Sequence, residues 1–280
     1  MELKFSPYSV FKNSKTPHGL YARTQWMGES TARVKGTVER LVSSICQGQL
    51  DNGSWDNSVI KTAENLHTLS LLAPRRLSVG RKAVDWLLEK DYPPMVHISG
   101  DRSPYTGLFF KLSREDVKQV YGRKDLLFNR GCSGFVKTGA ALYFSGIFGR
   151  EEEKRVANAF RSLDKVLEIR CGRWCSPACS NNILRAYTSH PKKRNSAQTR
   201  KALRHMEEIQ TEGGTWKGTP FFYHTFSTVA QSDLASARRQ IKRAMARVLR
   251  SQNRDGTWGR TNKEFNTFMV LNGLDQQGIL

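Results

Sequence analysis

The 280-residue chain has no run of about 18 apolar residues, which excludes a membrane-spanning helix. Its first residues, MELKFSPYSVFKNSKTPHG, lack the apolar core of a secretion signal, so a cytoplasmic address is expected. Cysteine is sparse and odd in number, five in all, which argues against a disulfide framework and for thiol or metal chemistry in a reducing compartment. Acidic residues are also few, 25 Asp and Glu against 45 Lys and Arg, for a formal charge of +20. An anionic partner is therefore expected, and nucleic acid, an acidic membrane or a pyrophosphate-bearing substrate all satisfy that charge. The dense basic stretches at 192–204 and 238–250 also read as solvated outer helix faces. No Pro/Gly/Ser-rich linker divides the chain.

What the sequence does contain is a repeat. Trp174, Trp216 and Trp258 stand 42 residues apart each time, closing RCGRW, IQTEGGTW and SQNRDGTW, and GQLDNGSW at 48–55 is a more distant copy. A period near 40 that survives divergence means stacked supersecondary units.

Between the tryptophans the apolar spacing is helical. Ile241, Ala244, Met245, Val248 and Leu249 fall on one face of an amphipathic segment, and the following EFNTFMVLNGL is apolar nearly all round. The same couple of outer and inner helix is expected at 33–46 with 58–72, 79–90 with 103–112, 113–121 with 131–147, 151–169 with 176–188, 196–209 with 220–233, and 236–250 with 264–274. Six helical hairpins can close into an all-α (α/α)6 toroid, residues 33–280, preceded by an N-terminal arm of residues 1–32. A closed ring needs no polar end cap, because the last repeat buries the face of the first.

The element Gln-x(3–5)-Gly-x-Trp, present as QTEGGTW at 210–216 and QNRDGTW at 252–258, resembles the QW repeat of terpenoid cyclases of the squalene-hopene type and the equivalent repeat of protein prenyltransferase β subunits. The resemblance covers most of residues 33–276 and implies the α/α toroid. It specifies activity far less. The paired-acid Asp-x-Asp-Asp motif of protonating cyclases is absent, and KTAENLHTL at 61–69, with Glu64 and His67, does not reproduce it. An Asp-Asp-x-x-Asp cluster for magnesium diphosphate is absent too.

The cysteines offer a different chemistry. Cys171, Cys175 and Cys179 are spaced by four, Cys132 opens the preceding inner helix, and His224 opens the following one. If all inner helices run the same way, their N-terminal ends gather at one rim, where thiolates and an imidazole suit a tetrahedral zinc better than an iron–sulfur cluster. The prenyltransferase resemblance implies that His224, in FFYHT, is a zinc ligand and that Cys179 matches the family's ligand Cys. The family's ligand Asp falls on Pro177 here, so Cys175 or Cys171 takes its place, with Cys132 a fourth ligand or beside the site.

Lys137, Arg185 and Arg130 lie on or beside inner helices, where an unpaired cation is costly, and are candidates for holding a diphosphate. Tyr143, Tyr187, Phe222, Tyr223, Phe226 and Phe268 are candidates for lining an apolar lumen, with ordinary core packing as the other account. The expected function is a zinc-dependent, prenyltransferase-like enzyme acting on an isoprenoid or other anionic small-molecule substrate, and the resemblance implies a helical partner subunit for a prenyltransferase. The alternatives are a cyclase using an unrecognised acid such as Asp85 or Glu64, and a non-catalytic toroid with a structural metal whose basic surface binds nucleic acid or a protein.

Overall fold

The structure, a computed structural model, describes residues 3–89, 108–109, 112–219 and 221–280. Among these are twelve α-helices and no β-strand beyond isolated bridges. They are α1 (Pro17–Gln25), α2 (Thr31–Gln47), α3 (Val59–Leu72), α4 (Leu77–Leu87), α5 (Arg114–Gly122), α6 (Ser133–Ile147), α7 (Lys154–Ile169), α8 (Pro177–Ser189), α9 (Ala197–Glu208), α10 (Phe222–Ala230), α11 (Ala235–Arg250) and α12 (Lys263–Gln276). No helix among the described residues is long and apolar enough to cross a membrane.

Burial separates two layers. Helix α11 hides Ala237, Gln240, Ile241, Ala244, Met245 and Val248 on one stripe and exposes Lys242, Arg243, Arg247 and Arg250, the pattern of a helix with one face in solvent. Helix α12, covered all round, buries Phe265 and nearly every residue from Thr267 to Leu274. Helices α1, α3, α6, α8, α10 and α12 each pack against the next, and α12 returns to α1. These six form the inner ring; α2, α4, α7, α9 and α11 form the wall outside it. The fold is the all-α (α/α)6 toroid expected from the repeat. The short inner helix expected at 103–112 falls mostly outside the described residues. Residues 17–25, expected in an arm ahead of the toroid, form α1 and stand in the inner ring between α12 and α3.

The repeated tripeptide is a joint between hairpins. Gly53, Gly172, Gly214 and Gly256, two residues before each Trp, have φ of 93°, 95°, 81° and 82°, a region costly to any other residue. Each also presses on the next outer element: a Cβ at Gly256 would collide with the Ser6 carbonyl oxygen, and one at Gly214 would lie 2.6 Å from that of Arg243. The Gln four residues earlier bridges the same gap. Gln49 Nε2 donates to the carbonyls of Gly53 and Val79, Gln210 Nε2 to those of Gly214 and Gln240, and Gln252 Nε2 to those of Gly256 and Phe5. In the copy ending at Trp174 the equivalent position is Glu168, which ion-pairs with Lys201 of α9 instead. The indoles tie inner turn to outer helix: Nε1 of Trp55, Trp174 and Trp258 donates to the carbonyls of Ile45, Leu163 and Val248 at 2.8, 3.1 and 2.9 Å.

Candidate metal centre and lumen

The joint ending at Trp174 also positions thiols. Ser180 Oγ accepts from the backbone N–H groups of Trp174 and Cys175 at 3.1 and 3.4 Å, fixing Cys175 just ahead of α8. Ser176 caps α8, accepting from the N–H of Cys179, and Pro177 fills its first turn, where no N–H is needed. Cys132 occupies the N-cap of α6. Gly131 permits the approach of the two turns, since a Cβ there would stand 2.7 Å from Asn182 Nδ2.

The result is a cluster of three sulfurs, Cys132, Cys175 and Cys179, all within 4.8 Å of one another. Cys132 and Cys179 Sγ are 3.4 Å apart, and the N–H of Cys132 donates to Cys179 Sγ at 3.2 Å. The donor set fits one tetrahedral ion. Zn–S bonds of about 2.3 Å at tetrahedral angles place sulfurs roughly 3.8 Å apart, a small adjustment from this arrangement. An iron–sulfur core spreads its cysteines around several atoms, and sulfurs this close suit it poorly. The Cys132 thiol is pushed well above its ordinary pKa by hydrogen bonding to Cys175 and Cys179 and by burial, so three bare thiolates need a cation to coexist. The helix N-termini of α6 and α8 contribute favourable partial positive charge.

The other nominated residues are distributed elsewhere. Cys171 is exposed, with φ 50°, outside the thiol group. His224, also outside it, places Nε2 3.1 Å from the Lys124 carbonyl oxygen and faces Asn129 Nδ2, and burial and nearby Arg185 lower its pKa to about 3. Lys137 donates to the Glu89 carbonyl at 3.3 Å and sits over the Trp86 ring. Arg130 is exposed, over the ring of Phe221. Lys137, Arg130 and Arg185 are thus dispersed, and Arg185 alone of the three borders a lumen cavity described below.

The lumen holds a cavity of about 380 Å³ walled by the first turns of α1 and α12, by α3 from Val59 to Thr68, by α6 and by residues of the 123–128 segment. Val136 and Ala140, one and two turns beyond Cys132, line it. Its titratable lining groups are His18, Glu64, His67, Arg123, Asp125, Lys263 and Glu264, with Thr16, Thr68 and Asn262 beside them. Arg123 bridges Glu64 at 2.7 Å and Asp125 at 3.1 Å. Burial by itself raises the Asp125 carboxyl, but the hydrogen bonds and charge of Arg123 hold it below the usual range. His18 and His67 face each other with ring centroids 5.3 Å apart. Desolvation lowers His18 to about 4 and His67 well below 6.5, so both are neutral at pH 7.

A second cavity of about 240 Å³ lies toward the C-terminal ends of the inner helices and shares His67 and Leu127 with the first. Tyr143 and Phe268 line it. Tyr187 turns outward, its hydroxyl donating to Asp164 of α7 at 2.7 Å and its ring on Trp174. Phe222 packs on Trp216, and Phe226 fills the space left by Gly273 of α12, so these two serve the layer contacts. Tyr223 is half-buried beside Phe222. Asp85 lies on outer helix α4, paired with Arg150 and Arg155. Sequence reasoning passed over His18 and the 123–128 wall, because α1 is short and the wall segment has no periodicity.

No protein-family model and no curated protein matches the sequence. Solved structures do match. A variant of the type II terpene cyclase MstE from Scytonema, in complex with geranylgeranyl dihydroxybenzoate (substrate), aligns with TM-score 0.58 at 12% identity, covering 95% of this chain and 87% of that one. The apo form of that cyclase gives 0.56 at 12% identity, over 95% and 89%. A protein from Actinoplanes gives 0.58 at 16% identity, over 97% and 90%. The chain therefore has the fold of the terpenoid cyclase-like α/α toroids.

Proposed function

We propose that the chain is an enzyme that seats an isoprenoid-type chain in its lumen and works with a zinc ion held by Cys132, Cys175 and Cys179. The observation that carries this reading is the thiol cluster at the start of α6, the helix whose next two turns line the lumen. A zinc bound by these thiols would act as a Lewis acid with an open position, the pattern of catalytic rather than structural sites. Helix starts α6 and α8 hold the sulfurs in place, while Val136, Ala140 and Phe265 give the neighbouring cavity apolar wall. A cavity of about 380 Å³ lies within the range of ordinary ligand sites.

Cyclisation begun by a protein acid has less support. A proton donor needs a carboxyl kept neutral at working pH. Both Glu64 and Asp125 instead pair with the guanidinium of Arg123, and for Asp125 that contact favours the charged form. No other carboxyl of the cavity lies in a paired-acid arrangement: Glu264 accepts from Ser14 and Thr16.

Metal analysis of the purified protein tests the reading. One zinc per chain in the wild type, lost in Cys179→Ala, is the expected result, and a wild type free of stoichiometric metal overturns it. If the metal is structural, chelation unfolds the protein; if catalytic, the fold persists and lumen ligands still bind.

A further inference from the structure

Three inner helices aim unpaired polar groups into the second cavity. Arg185 of α8 is 1% exposed, and its one hydrogen bond among the described residues runs from Nη2 to the His224 carbonyl at 3.1 Å. Its Nε–H has no partner among the described residues. Among the described residues, Ser227 of α10, fully buried, has no partner for its hydroxyl, and neither ring nitrogen of His67 on α3 has one. All three line the same 240 Å³ space. The charge is unbalanced as well. Arg185 forms no ion pair among the described residues, and its titratable neighbours are Tyr143, His67 and His224. Burial lowers its pKa only to about 10, so it stays charged at pH 7.

A buried cation with no counter-ion is costly, and each unmet buried donor adds to that cost. Such a cost persists where a ligand removes it. We propose that Arg185, Ser227 and His67 form a binding site for the carboxylate of an amphiphilic ligand whose apolar part extends past Leu127 into the larger cavity. A planar carboxylate accepts from a guanidinium edge and a hydroxyl together. A phosphate or diphosphate would bring a second negative charge, and no other cation among the described residues lines this cavity. The proposal deepens the lumen reading above by naming the polar end of the ligand, and it does not involve the thiols.

The test compares farnesoic acid with farnesol, the same chain with and without the carboxylate, by titration calorimetry, and measures thermal stabilisation by benzoate alone. The wild type is expected to prefer the acid roughly tenfold or more, and Arg185→Met to bring the two within about twofold. Arg185→Lys retains part of the preference and Ser227→Ala reduces it, which keeps the test valid if the Met variant folds poorly. Equal binding of acid and alcohol to the wild type overturns the carboxylate site while leaving the lumen reading intact. If neither chain binds, the lumen reading fails; benzoate raising the Tm of the wild type but not of Arg185→Met still supports the anion site, and no benzoate effect overturns it. Inorganic phosphate matching benzoate in that arm also overturns the carboxylate assignment. Should Arg185 serve only to hold the fold, every variant melts lower and none alters the acid-to-alcohol ratio.

Discussion

Gln252 clasps the backbone of Phe5 from both sides, accepting from its N–H at 3.2 Å and donating to its carbonyl oxygen at 2.8 Å. The two residues are 247 apart in sequence, so one amide joins the last repeat to the beginning of the chain and closes the ring. Ser9 adds a second stitch by donating to the Asp255 carbonyl at 2.9 Å. Replacing Gln252 by Leu strands three backbone groups at the seam, the Phe5 N–H and the carbonyls of Phe5 and Gly256, and is expected to cost about 1–3 kcal/mol. Urea unfolding checks this, with Gln210→Leu, an internal joint, as the comparison.

Glycine at the seam is equally constrained. Gly256→Ala meets both the φ of 82° and the Ser6 carbonyl, and the conformation alone costs about 1–3 kcal/mol. Gly36, exposed on α2 with open space around it, is the opposite case, where Ala is expected to add about 0.5–1 kcal/mol through helix propensity. A Gly256→Ala protein as stable as the wild type would contradict the role given to the joint.

Metal content should separate the cysteines. Cys175→Ala and Cys179→Ala are expected to lose bound zinc, while Cys171→Ala keeps it, because that thiol lies outside the cluster. His224→Ala is also expected to keep zinc, since its imidazole faces Lys124 and Asn129. Plasma emission spectroscopy on the four variants reads this directly. Zinc lost on replacing His224 would restore the ligand set implied by the prenyltransferase resemblance.

Acid should loosen the lumen. His18 and His190 are lowered to about 4, His224 to about 3, and His67 well below 6.5, each chiefly by burial. The folded form keeps these rings neutral while the unfolded chain takes up protons below pH 6.5. Their stabilising contribution is therefore complete above that pH, falls as the pH drops, and is spent once the folded pKa values are passed. For His18 the gap between 6.5 and about 4 corresponds to roughly 3 kcal/mol as an upper figure. Unfolding measured from pH 7.5 to 4 should show this decline, and His18→Phe should flatten it.

The joints were legible because they use local signals. A positive-φ glycine and a Trp at fixed offsets recur at four joints among the described residues, three of them with the Gln, and the charged stripe of α11 marks it as wall. The clustering of Cys175 and Cys179 was legible for a similar reason, since both attach to one such joint. Cys132 could be placed at the same rim by counting one period back from Trp174. His224 could not be placed as well: its helix start is at that rim, but the chain at 124–129 comes between and takes its hydrogen bonds.

Sequence by itself determined most of the helical couples, the repeat and the thiol-rich turn, because each depends on spacing within about 40 residues. Only the tertiary structure decided which helix completes the inner ring, which polar groups meet in the lumen, and which cations are left without a counter-charge. Those outcomes depend on contacts between segments far apart in the chain, such as α1 against α12 or Arg185 beside Ser227 and His67, and no local periodicity encodes them.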